Sequence, residues 1–353
     1  MEHGGNIYGR HIEADYSVNL NPLGTPEEIY SALEKARDRV SVYPDPDQKE
    51  VRRCIASLEG VTPDRVLAGS GASQLFLAVV RSLRPKNALI FEPSYGGYEY
   101  ALDSLGEKKD RCTIRHVNTE TGLLSLKPWN TREEVPDLVF VCDPVNPTGL
   151  EQDEEALYEL LDRCVLNGTR VILDESFYLM SDKARDPEKR WRASKLTGRY
   201  PDLYVIRSLT KILSAPGIRM GYVISDPENI REVKKNLPEW DLSVMAEEAV
   251  MAGCRLLGDT DFIDRTLSVL RREREFLMKE LSAPGLSVYE SRAPYFCFRG
   301  PEGLYDALLS RGILIRDCAS FYGMNRGIYR IAVKDHGSNR EFLRILKEVI
   351  GNV

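Results

Sequence analysis

Leu203-Tyr204-Val205-Ile206-Arg207-Ser208-Leu209-Thr210-Lys211, continuing to Pro216-Gly217-Ile218-Arg219-Met220-Gly221, is the stretch from which the rest of the chain can be read. Its first four residues read as a short buried strand. The strand gives way to a lysine among small hydroxyl residues, and an arginine follows in a turn built on Gly and Pro. Such company suits a lysine with covalent work to do. Its amine must lose a proton to act as a nucleophile, and burial or neighbouring cations lower its pKa. Ser208, Thr210 and Arg219 are groups that a phosphate attracts. Taken by itself, Lys211 is equally one of the 48 Lys and Arg residues that a surface carries.

The same texture recurs upstream. Asn87-Ala88-Leu89-Ile90-Phe91, Leu138-Val139-Phe140-Val141-Cys142 and Arg170-Val171-Ile172-Leu173 are nearly continuous apolar runs, as strands covered on both faces are. Between the last two, 151–167 has a helical pattern with Leu157, Leu160, Leu161 and Val165 on one face. Strand and helix alternate, which predicts an α/β fold: a mostly parallel central sheet with helices on both faces. Past Asp226-Pro227-Glu228 the pattern changes. A long helical stretch, 246–279, precedes short strand-like runs at Leu286-Ser287-Val288-Tyr289, Tyr295-Phe296-Cys297-Phe298 and Ile328-Tyr329-Arg330-Ile331-Ala332-Val333. Helical patterns at 305–310 and 340–349 separate them, so a smaller α+β domain is expected. The expected division is an N-terminal arm with part of the small domain over 1–40, a large domain over 41–235 and the C-terminal small domain over 236–353.

A net charge of −6 and the absence of any basic run argue against nucleic acid as a partner. The longest apolar stretches, such as 75–80, are far too short to span a bilayer. The start, Met1-Glu2-His3-Gly4-Gly5, lacks the basic and apolar regions of a signal peptide. Seven scattered cysteines and four histidines without ligand spacing predict neither a disulfide framework nor a metal site. A cytoplasmic setting fits.

In open parallel sheets ligands bind beyond the carboxyl ends of the strands, and the chemistry-bearing residues cluster there. Gly69-Ser70-Gly71-Ala72-Ser73-Gln74 follows the apolar run Val66-Leu67-Ala68 and opens a helix near Gln74, whose free N–H groups suit an anion. It also reads as a plain strand-to-helix turn. Asp143-Pro144-Val145-Asn146-Pro147-Thr148-Gly149 fixes Asn146 between two prolines, where it can donate to a ring oxygen or simply stiffen a loop. Asp174-Glu175-Ser176 ends an apolar strand, so its carboxylates need cationic partners. A protonated pyridine nitrogen is one such partner and an arginine is another. Tyr95, after the strand ending at Phe91, can stack on a planar ring or take a core place. An aldehyde with a ring and a phosphate arm would use all four clusters together with Lys211, and pyridoxal phosphate is that molecule.

The order glycine-rich loop, aromatic, Asn-Pro loop, Asp, Ser-x-x-Lys, Arg resembles the class I/II aminotransferase family of fold-type I pyridoxal-phosphate enzymes, over 19–330. The resemblance implies that Lys211 is the imine-forming lysine, Asp174 the partner of the pyridinium nitrogen and Tyr95 the stacking ring. Asn146 would contact the ring oxygen. Gly71, Ala72, Ser73, Ser208, Thr210 and Arg219 would hold the phosphate. Tyr43, in Val42-Tyr43-Pro44-Asp45, is similar to the tyrosine that reaches the phosphate of a neighbouring subunit, which implies a homodimer. Arg330 is similar to the arginine that forks the substrate carboxylate.

Two subfamilies are similar: threonine-phosphate decarboxylases and histidinol-phosphate aminotransferases. His3-Gly4-Gly5-Asn6, Asn19-Leu20-Asn21-Pro22-Leu23-Gly24 and Ile313-Leu314-Ile315-Arg316-Asp317-Cys318 resemble segments of the first. That resemblance implies a phosphorylated amino acid as substrate, gripped at its phosphate by His3, Asn21 and Arg316. The family usually has tyrosine three residues after the ring aspartate. Phe177 stands there, with Tyr178 as the nearest hydroxyl. With no N-terminal segment for a DNA-binding module, an enzyme is expected rather than a cofactor-binding sensor.

Overall fold

The computed structural model describes residues 4–106, 112–126, 135–258, 261–282 and 286–351. In chain order its strands are β1 (Ala14–Asp15), β2 (Val66–Gly69), β3 (Asn87–Glu92), β4 (Thr113–Asn118), β5 (Leu138–Cys142), β6 (Arg170–Asp174), β7 (Leu203–Arg207) and β8 (Gly221–Ile224), followed by β9 (Ser287–Val288), β10 (Tyr295–Arg299), β11 (Ile313–Leu314), β12 (Arg316–Asp317) and β13 (Ile328–Ala332).

Seven strands form the large sheet in the order β2-β8-β7-β6-β5-β3-β4. The run β7-β6-β5-β3-β4 is parallel, and β8 lies antiparallel between β7 and β2. The sheet is buried on both faces, and alternate residues show it. Leu89, Val139, Val141, Val171, Leu173 and Val205 enter one apolar cluster. Ala88, Ile90, Phe140, Ile172, Tyr204 and Ile206 enter another on the far side. Period-two alternation between two greasy layers is why these strands read as unbroken apolar runs. Helix Glu154–Asn167 joins the first cluster, and helices Ala72–Leu83 and Gly97–Asp103 join the second. The expected α/β architecture is the observed one.

Local differences have physical causes. The helix expected over 151–167 begins at Glu154, because the Asp153 carboxylate accepts from Ala156 N and caps it there. The stretch 246–279 is two helices, Val244–Gly258 and Phe262–Ser282, the first ending on a glycine. Strand β4 escaped the sequence reading because it is a half-exposed edge of mixed polarity, Thr-Ile-Arg-His-Val-Asn.

A second sheet, β12-β13-β10-β9, is antiparallel. Strand β1 pairs parallel with β11, so the first part of the chain is tied to the last. The register of β12 against β13 sets Arg316 opposite Arg330.

Under the carboxyl ends of the large sheet lies a buried ionic network. Arg207 Nε and Nη2 donate to Glu175 Oε2 at 2.8 and 2.7 Å, and its Nη1 donates to Glu59 Oε1 at 2.9 Å. Arg192 Nε donates to Glu175 Oε1 at 2.7 Å and its Nη2 to Asp143 Oδ2 at 2.6 Å. Lys183 Nζ adds a third cation, 2.9 Å from Asp143 Oδ2. Removing one member strands charge out of water, at a cost of about 3–5 kcal/mol. Arg207→Met is therefore expected to lower unfolding free energy by roughly that amount in a denaturant titration. A loss below about 1 kcal/mol would show that the network does not support the fold.

Candidate active site

A cleft of about 330 Å³ opens at the carboxyl ends of β3, β5, β6 and β7, between the two sheets. Its walls include Ala72, Ser73, Tyr95, Asn146, Asp174, Ser208, Lys211, Arg219, Arg316 and Arg330, so residues spread over most of the chain meet in one place.

One end is built for an anion. Helix Ala72–Leu83 starts there with no side chain capping its first N–H groups. Gly71 precedes it at φ +84°, and a Cβ there would stand 2.7 Å from Arg219 Nη2. Only glycine lets the helix start come so close to the guanidinium. Ser208 lines the same end. Thr210 lines the cleft as well, but its hydroxyl is engaged elsewhere. Its hydroxyl donates to Met220 O at 3.0 Å and accepts from Met220 N at 3.1 Å, so it pins the lysine loop to β8 and has no proton left for a phosphate.

Asp174 and Glu175 divide the two roles left open by the sequence. Glu175 takes both arginines. Asp174 forms no ion pair among the described residues and faces the cleft. Its Oδ2 accepts from Tyr98 Oη at 2.5 Å and its Oδ1 from Ser176 N at 2.9 Å. Burial raises the Asp174 pKa, which its hydrogen bonds to Ser176 and Tyr98 partly offset. A cation arriving there would find a dry carboxylate already aimed. Tyr98 was not foreseen; its only signal was a place one helical turn after Tyr95. The Tyr95 ring meets Tyr98 edge-on at 5.6 Å and lines the cleft.

Lys211 lies between these ends on the short helix Leu209–Ile212. Burial, then the charges of Arg330 and Arg219, push its pKa down to about 8, against a smaller upward pull from Asp174. The Phe177 ring centre is 5.8 Å from its Nζ. Tyr178 does not replace the missing hydroxyl: its Oη donates to Lys189 O at 3.0 Å, with the ring beneath Arg192.

The wall opposite is cationic. Arg330 is buried, its Nη1 donating to Asn146 Oδ1 and its Nη2 to Ser17 O at 2.7 Å. Its Nε has no partner among the described residues. Arg316 stands beside it, also buried. The Asn21 expectation fails. Its amide donates to Ile212 O and Thr266 Oγ1, both at 2.8 Å, and its Oδ1 accepts from Leu23 N at 3.0 Å, so it is consumed in packing. Of the two asparagines in that segment it is Asn19 that lines the cleft, buried, with Oδ1 unpartnered among the described residues. His3 lies outside the described residues. Tyr43 is not among the residues lining the cleft; it is 76% exposed and its ring centre lies 4.8 Å from that of Trp240.

The residues fit pyridoxal phosphate on these observations: an uncapped helix start beside Arg219, a buried carboxylate without a cation, and a partly buried lysine of lowered pKa.

The sequence profile described as aminotransferase class I and II matches residues 14–346. A threonine-phosphate decarboxylase of Salmonella typhimurium is 31% identical over 350 residues, which cover 96% of this chain and 92% of that protein. A histidinol-phosphate aminotransferase of Methanosphaera stadtmanae is 27% identical over 344 residues, 95% of this chain and 89% of that one. The crystal structure of the histidinol-phosphate aminotransferase from Clostridium acetobutylicum has a TM-score of 0.81 at 29% identity, covering 96% of this chain and all of that one.

Lys211 is neutral above about pH 8. Covalent uptake of pyridoxal phosphate by the apoprotein should thus rise up to about that pH and then level, whereas an ordinary lysine keeps gaining toward about pH 10. Lys211→Ala should abolish the uptake and the visible absorbance that accompanies it. Absorbance that survives the substitution would place the anchor elsewhere.

Proposed function

We propose that this chain, which belongs to the aminotransferase class I and II family, acts on a phosphorylated amino acid, with removal of the carboxylate of O-phospho-L-threonine as the reading best supported. The observation that carries it is the pairing of Arg316 with Arg330 on one cleft wall. Like charges set directly opposite across two strands repel. A substrate bearing both a carboxylate and a phosphate would relieve that repulsion by setting an anion beside each guanidinium.

Pyridoxal phosphate is the family's cofactor, and when bound it supplies a ring that takes up the electron pair left by a broken bond at the amino carbon. Asp174 would keep negative charge at the ring nitrogen, and Asn146 would donate to the ring oxygen. Tyr95 would lie on the ring. Ser208, Arg219 and the N–H groups of Ala72 and Ser73 would hold the phosphate. Lys211 Nζ, half-protonated near pH 8, would deliver a proton to the reacting carbon after carbon dioxide leaves, and in transamination would take and return one there. On the substrate, Arg330 would fork the carboxylate, while Arg316 and Asn19 would receive the phosphate. A substrate positioned chiefly by its phosphate at Arg316 would favour loss of carbon dioxide, and one positioned chiefly by its carboxylate at Arg330 would favour proton removal and transamination. The decarboxylase relative and the apolar Phe177 beside Lys211 support the first outcome. The solved aminotransferase at 29% identity supports a second reading, transamination of histidinol phosphate.

The same reading makes the protein a homodimer. Val40, Val42, Tyr43 and Trp240 are exposed apolar residues that a second copy would cover, with Tyr43 reaching its neighbour's phosphate.

Incubating the holoenzyme with O-phospho-L-threonine should release carbon dioxide with no 2-oxo acid present. Turnover of histidinol phosphate that depends on a 2-oxo acid, without such release, would select the second reading.

A further inference from the structure

Arg316 opens a two-residue strand, and the loop after that strand holds its guanidinium. Nη2 donates to Ser320 Oγ at 2.6 Å, and the guanidinium carbon lies 5.0 Å from the Phe321 ring centre. The next two residues touch the edge strand of the large sheet instead. The Tyr322 ring lies flat on the His116 imidazole, with centres 4.7 Å apart and planes within 16°. At Gly323, φ +75°, a Cβ would fall 2.8 Å from the Asn118 amide. His116 and Asn118 are two apart on β4 and share one of its faces. Four consecutive residues thus grip Arg316 with the first pair and β4 with the second.

His116 is itself fixed from behind. Its Nδ1 is 2.9 Å from Oε1 of Glu92, a buried carboxylate that ends β3 and lines the cleft. This is a firm seat for the Tyr322 ring, which lines the mouth of the cleft with Ser320 and Phe321. Tyr322, by contrast, is 55% exposed, so its place on the imidazole contributes little to the core. What the stack does secure is the position of a loop whose preceding residues orient a cleft arginine.

We propose that His116 and Tyr322 are positioning residues: their stack docks the loop on the large sheet and so sets the reach of Arg316 toward the substrate phosphate. The proposal rests on the reading that Arg316 receives a phosphate. A guanidinium misplaced by about an ångström loses the aligned N–H···O pair that makes such contacts selective.

The test compares holoenzymes of the wild type, Tyr322→Ala, Tyr322→Phe, His116→Ala and Arg316→Ala. Affinities for O-phospho-L-threonine and for L-threonine are read from the change in cofactor absorbance and by calorimetry. The wild type should prefer the phosphorylated ligand. Tyr322→Ala and His116→Ala should each lose about tenfold of that preference, with L-threonine binding held within about twofold. Tyr322→Phe should restore it, because the stack needs only the ring. Should Arg316→Ala lose the preference while both alanine variants of the stack retain it, the positioning role is overturned and the phosphate reading stands. A wild type that binds both ligands equally would overturn the phosphate reading, and the positioning role with it.

Discussion

Arg192 and Arg207 hold Glu175 from two sides, and the cleft takes its shape from that grip. Glu175 is the residue at which the chain leaves β6. Once both its oxygens are committed below the sheet, the preceding side chain has only the opposite direction to take. Asp174 is thereby turned into the cleft, where Tyr98 and Ser176 N steady it without neutralising it. The network reaches further. Asp143, which opens the loop carrying Asn146, is tied to Arg192 and Lys183. Glu59 and Arg207 bind helix Lys49–Glu59 to the strand that delivers Lys211. Three loops that bear cleft residues therefore share one set of buried charges, which ties the carboxyl ends of β5, β6 and β7 together.

Much of this was legible because its causes are local. Strands between two apolar layers must be apolar throughout, so β3, β5, β6 and β7 stood out. Residues at their carboxyl ends followed from the geometry of parallel sheets. What could not be read depends on partners distant in sequence. Asn19 and Asn21 look alike in Asn-Leu-Asn-Pro. The sign that separates them is Pro22: Asn21 opens a turn and bonds its own backbone at Leu23, as asparagine before proline tends to do. Thr210 looked like a phosphate donor until the antiparallel return of β8 brought Met220 against it. Tyr178 looked like a spare hydroxyl until Lys189 O claimed it. The contact of Tyr322 with His116 joins two segments that no periodicity relates.

The cleft is electrostatically lopsided, and this bears on Lys211. Cations flank it on two sides, Arg219 at the anion-binding end and Arg330 on the opposite wall. Both penalise a proton on Nζ in the empty protein. A bound phosphate and a bound carboxylate would each cancel part of that penalty. The readiness of the amine to hold a proton therefore changes with occupancy, which is what a group that must both give and take one requires.

The pairing of β1 with β11 has a consequence for how the protein comes into being. Arg330 bonds the carbonyl of Ser17 across 313 positions of chain, and Asn19 sits just beyond that bond. Closing so long a loop is slow relative to forming the local helices and hairpins. The segment that carries Asn19 can bond Lys211 and Ile212 through Asn21, but its tie to Arg330 waits for β13. The large sheet, from β2 to β8, has its partners much earlier. The cleft is thus completed late, and a chain truncated before β13 would keep the large sheet and Arg316 but lose Arg330 and its bond to Ser17.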